Sequence, residues 1–115
     1  MSGWGNITRV AGTGTAGAGG DDGPATDAQL RGPGAVAILA DGFLFADVSN
    51  HEIRKVSASG TITRVAGTGT AGAGGDDGPA TDAQLQSPSA VAVTADGGFL
   101  IADSASNRIR LVAPA

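Results

Sequence analysis

Hydrophobic positions along the chain fall in short runs, each cut off by glycine, proline or an Asp-Gly pair, and that punctuation predicts strands and turns rather than helices. The letters ITRVA at residues 7–11 read as a strand ended by Gly12, Gly14 and Gly17. A glycine-rich loop runs on to Gly23. In the PATDAQL that follows, Asp22 or Gly23 can cap and Pro24 can open a helical turn or two. AVAIL, after Pro33, is apolar on both faces, as a strand is when neighbours cover both sides of its sheet, and Ala35 and Ala37 keep one side thin. Asp41-Gly42 suits a two-residue type I′ hairpin, which makes FLFAD the returning strand. VSNHE predicts the next turn, IRKV a third strand with Ile53 and Val56 in the core, and SASG the turn into a fourth strand, TITRVA.

The same order then repeats. Residues 7–30 recur letter for letter at residues 62–85, and AVAVT, FLIAD and RIRLV then stand for AVAIL, FLFAD and IRKV. Gly98 is inserted and lengthens the Asp96-Gly97 turn, as a three-residue hairpin with a glycine bulge requires. Residues 1–115 therefore form one unit of two repeats, 7–61 and 62–115. The chain opens on a fourth strand that lacks the preceding three and stops after a third strand that lacks its fourth. Pairing residues 7–11 with residues 108–112 would close radially arranged sheets into a ring.

The segments ITRVAGTGTAG, GPATDAQL, SPSAVAVTADGGFLIADSASNRIRLV and GPGAVAILADGFLFADVSNHEIRKV resemble the NHL-repeat β-propellers, in particular their longer repeats with a glycine-rich insertion. The resemblance runs from Ile7 to Val112. It implies an all-β propeller of four-stranded antiparallel blades, two per chain, with AVAIL and AVAVT innermost and the ring completed by oligomerisation. Heterologous contacts close only when their rotation divides a full turn. Six blades from a homotrimer is the arrangement the resemblance favours, and eight from a homotetramer is the alternative; residues 7–11 of one chain would complete the last blade of its neighbour. The copies depart from each other at His51 and Glu52, which stand where the second repeat has Asn107 and Arg108.

Composition narrows the partners. Aromatic residues make up 3% of the chain and glycine supplies 20 residues, so the core is built from small and β-branched side chains. A net charge of -4 without a Lys/Arg cluster argues against nucleic acid and anionic membrane, both of which need a basic patch. Without cysteine there is no disulfide, thiol nucleophile or cysteine metal site. No apolar run reaches transmembrane length, and MSGWGN has neither the basic start nor the apolar core of a secretory signal. Trp4, outside the repeat, is a candidate for a subunit seam.

Gly12, Gly14 and Gly17 satisfy a dinucleotide-binding spacing, but no helix opens within the glycines, so an inter-blade loop is expected. Asp21, Asp22, Asp27 and their copies Asp76, Asp77 and Asp82 are the candidate ligand-binding residues, because symmetry would multiply them into rings of carboxylates that suit a cation or small ligand at the axis. Their spacing matches no calcium loop, and the competing reading is that they cap and solvate the loop; no metal is assigned. Asp47 and Asp103 end the second strands, where Arg54 and Arg110 can reach them across the hairpin. His51, the single histidine, reads as a solvated turn residue that supports neither a histidine metal site nor a triad. No catalytic residue and no cofactor are expected. The expected function is a non-enzymatic, self-assembling scaffold that presents glycine/aspartate-rich loops on one face. A small-ligand or cation site at the ring axis is the alternative, with an NHL-type lyase or hydrolase less favoured.

Overall fold

Seven strands form two antiparallel sheets in the computed structural model, which describes residues 3–114. The first sheet has the order β1 (Pro33–Leu39), β2 (Gly42–Asp47), β3 (Glu52–Ser57), β4 (Ile62–Ala66); the second has β5 (Pro88–Val93), β6 (Phe99–Asp103), β7 (Arg108–Val112). Within each sheet every strand pairs with the next one in the chain, so each sheet is a meander whose loops stay short. The alternation of side chains gives each sheet two faces. Leu44, Ala46 and Ile53 of the first sheet meet Val91 and Ile101 of the second, with Ala66 and Leu85 in the same cluster. On the opposite face of the first sheet, Phe45, Val56 and Ile62 are covered by Ala25 and Ala28 from the preceding loop. Ile53, Ile62 and Ile101 are fully buried, and each stabilises the fold by roughly 1.5–3 kcal/mol. The sheets approach each other most closely at β1, β2 and β5 and draw apart towards β4 and β7, so they splay from the side on which AVAIL and AVAVT lie.

Ile53 and Val56 sit in the core as expected, and SASG turns the chain into β4. The first hairpin differs from expectation. Its loop is Ala40-Asp41, neither residue has positive φ, and the turn is therefore not type I′. Gly42 already belongs to β2, and a Cβ there would lie 2.0 Å from the Val56 carbonyl oxygen, so the approach of β3 demands the glycine. The second hairpin follows its prediction: Thr94 N–H donates to Gly98 O at 2.9 Å around a three-residue loop, with Gly97 at φ 92°. The plug is smaller than expected, a single 3-10 turn at Ala25–Asp27. Pro24 takes the N-cap place without a side-chain cap, and Ala28 returns to extended backbone, which lets Ala25 and Ala28 both face the sheet. Neither Asp22 nor Gly23 caps it.

Residues 7–11 join no sheet in the single chain, although the identical residues 62–66 form β4. Both copies grip their own loops alike. Arg9 Nη1 donates to the carbonyls of Gly12 and Thr26 at 2.6 and 2.7 Å, and Arg64 Nη1 donates to those of Gly67 and Thr81. What the first copy lacks is a neighbouring strand. Among the described residues no helix is long and apolar enough to cross a membrane.

Candidate functional site

Each blade carries an ion network at the end where its glycine loop lies. Arg54 is fully buried; its Nη1 donates to Asp47 Oδ2 at 3.1 Å and to Gln29 O at 2.6 Å, and its Nη2 stands 3.0 Å from Asp21 Oδ1. Asp47 also accepts from Asn50 Nδ2 at 2.8 Å and from the Arg31 N–H at 2.7 Å. The second blade repeats the plan, with Arg110 3.4 Å from Asp103 and 2.8 Å from Asp76. The expected Asp–Arg pairing across the hairpin is thus present in both blades. The buried pair derives its worth from completeness, because removing one partner leaves a desolvated charge behind.

At the seam between the two blades, His51 takes a left-handed conformation at φ 57° and its Nδ1 accepts the Ser87 N–H at 3.0 Å. The imidazole therefore carries its proton on Nε2 there and is a seam residue, not the solvated turn residue expected. Glu52 is buried beside it, with Oε1 3.9 Å from Arg54 Nε and no hydrogen bond. Burial pushes its carboxyl up to about 7, partly opposed by the Arg54 guanidinium. Gly67 closes the seam at φ 88°, where a Cβ would lie 2.5 Å from the His51 carbonyl oxygen.

The two outer sides of the molecule carry the counterparts of this seam, open. Leu100 and Ile109 match Leu44 and Ile53 but are exposed, Ile109 by 69%. On the far side of the first blade, Val36 and Phe43 match Val91 and Phe99; with Val10, Leu30 and Phe45 they line an apolar cleft of about 310 Å³. A second cleft, of about 860 Å³, runs along β7 between Arg108–Val112 and the loop at Asp76–Ala80. Its counterpart in the first blade is filled by β4: Asp22 N–H donates to Ile62 O at 2.6 Å, Ile62 N–H to Gly23 O at 3.0 Å and Ala25 N–H to Gly60 O at 2.7 Å. Among the described residues the corresponding Asp77 and Ala80 N–H groups have no hydrogen bond.

The six candidate aspartates are not brought together. Asp21 and Asp76 each hold an arginine of their own blade, Asp22 and Asp77 occupy turns at φ 69°, and Asp27 and Asp82 sit exposed on the 3-10 turns Ala25–Asp27 and Ala80–Asp82. Among the described residues no group of three or more His, Cys, Asp or Glu side chains is placed to hold a metal ion. Residue types alone did not reveal His51 and Glu52 as seam residues. The one usable signal was that His51 aligns with Asn107, which shares its left-handed conformation at φ 59° and offers an acceptor at the same distance from Cα.

No protein-family model matches the chain. It is 35% identical over 102 residues to human Teneurin-4 (Homo sapiens), covering 76% of this chain and 4% of that protein. It is 33% identical over 96 residues to the chloroplastic Protein SUPPRESSOR OF QUENCHING 1 of Arabidopsis thaliana, covering 82% of this chain and 9% of that protein. The chain thus spans less than a tenth of the length of these curated relatives. Among solved structures, an auxiliary nutrient binding protein from Bacteroides thetaiotaomicron superimposes with a TM-score of 0.76 at 26% identity, over 90% of this chain and 28% of that one. With the radial packing of the two sheets, this likeness gives the chain a β-propeller-like fold.

Proposed function

We propose that the chain is a non-enzymatic, NHL-type propeller module that assembles from copies of itself and serves as a rigid scaffold for binding on its glycine-loop face. One observation carries this reading: each open surface is the counterpart of one that the chain already fills internally. The cleft along β7 is lined by Asp77 and Ala80, whose first-repeat counterparts Asp22 and Ala25 bond to β4 and the residue pair before it, and residues 7–11 have the sequence of β4 and its grip on the adjoining loop. In the ring, residues 7–11 of one chain pair with β7 of its neighbour, and Leu100 and Ile109 enter the apolar cleft around Val36 and Phe43. Asn107 Oδ1 then accepts the Gly32 N–H of the next chain, as His51 accepts that of Ser87. Burying those apolar groups and capping an open sheet edge both favour closure over the single chain. Three chains give six blades and four give eight. The nutrient-binding likeness agrees with a binding scaffold.

Native mass spectrometry at low salt tests the reading. A threefold mass is expected and a fourfold mass changes only the blade count, whereas a folded monomer or dimer overturns it.

A further inference from the structure

We propose that the assembled ring binds a small polyanion on its axis, at the glycine-loop end, through the Arg31 side chains of its several chains. This rests on the ring-forming scaffold proposed above, since one chain contributes only one such arginine. Arg31 stands just before β1, the innermost strand, at the end of the blade where Asn50 Nδ2 donates to Gly17 O in the glycine loop. Its backbone is clamped twice: its N–H donates to the buried Asp47 at 2.7 Å, and its carbonyl accepts the Ser49 N–H at 3.0 Å. The side chain is free. Every other lysine or arginine side chain among the described residues donates to a carbonyl or a carboxylate, and Arg31 is exposed with no acceptor.

Asp47 cannot neutralise it, because that carboxylate is already engaged by Asn50, Arg54 and the Arg31 N–H. Ring closure would bring the Arg31 copies round the axis, where like charges repel until an anion bridges them. Guanidinium forks match phosphate and carboxylate oxygens. The Ser49 hydroxyl, exposed beside Gly32 and without a hydrogen bond among the described residues, is a second donor on the turn Val48–Asn50 that clamps the Arg31 carbonyl. The second repeat keeps this backbone setting, with Gln86 N–H on Asp103 at 2.7 Å and Ala105 N–H on Gln86 O at 3.1 Å, but carries neither the charge nor the hydroxyl. Arginine and glutamine would therefore alternate around the opening.

Gln86 also supplies the variant, because glutamine is already accommodated at the matching position. Isothermal titration of the assembled ring with inorganic phosphate, and separately with a tricarboxylate, at constant ionic strength should give saturable binding of one anion per ring. R31Q should weaken binding at least tenfold while leaving the mass of the assembly unchanged, S49A should weaken it severalfold, and Q86R should tighten it. An assembled wild-type ring that binds neither anion, or an R31Q ring that binds as tightly as wild type, overturns this site and leaves the scaffold reading standing. A chain that stays monomeric in native mass spectrometry overturns both.

Discussion

His51 and Asn107 hold the same left-handed position in the two repeats, and what they share is an acceptor at the same reach from Cα. The bond to Ser87 needs that acceptor and not the imidazole, so H51N should fold and melt like the parent, whereas H51A should lose about 1 kcal/mol in denaturant unfolding. Glu52 gives the blade a pH response with a definite sign. Its folded-state pKa is raised from 4.5 to about 7, so the folded chain keeps a proton that the unfolded chain releases. Stability from this group is full below about 4.5, falls as the pH rises to about 7, and is flat beyond. E52Q should abolish that decline and be the more stable protein at pH 8, as measured by urea midpoints across the range. Glu52 was not legible as buried, because a carboxylate opening a strand is usually solvated and only the packing of the second repeat's loop over it removes water.

At the scale of elements, residues 7–11 and β4 make the plainest comparison, since identical letters are a strand in one place and unpaired in the other. Local preference is the same in both, as are the arginine contacts to the following loop; the difference is β3, which lies beside β4 alone. The Ile62 N–H donates to Gly23 O at 3.0 Å, so in the proposed ring Ile7 N–H would be the matching donor to a neighbour's Gly78. I7P removes that donor in a segment outside both sheets. It should leave the circular dichroism of the blades intact and abolish assembly in native mass spectrometry. A ring of normal mass from I7P would place the seam elsewhere.

Across the whole molecule, Ala37 and its counterpart in the second repeat, Ala92, separate folding from assembly. Ala37 packs into the cluster between the blades, whereas Ala92 faces outward on the second blade, where a neighbour would sit. Overfilling a packed seam costs typically 1–3 kcal/mol. A37L should therefore lower the unfolding free energy of the chain by about that amount, and A92L should leave the single chain's stability nearly unchanged while weakening its assembly. Concentration-dependent melts read both, since only an assembling species has a melting point that moves with protein concentration.

By itself the sequence determined the two repeats of the chain, the order of strands within each, the small residues of the strands where the two sheets meet, and the Asp–Arg pairing across each hairpin. All of these follow from local alternation, glycine and proline punctuation, and a duplication whose first 24 residues are unchanged, which are properties read along the chain itself. Tertiary structure alone decided that Asp21 joins Arg54, that Glu52 is desolvated, that His51 serves a seam, and that Gly42 is demanded by β3 instead of by its turn. It also decided that one copy of ITRVA is a strand and the other is not. Each of these depends on which surface, far away along the chain, comes to lie alongside. Periodicity records which face of a strand is apolar; it carries no record of what covers that face.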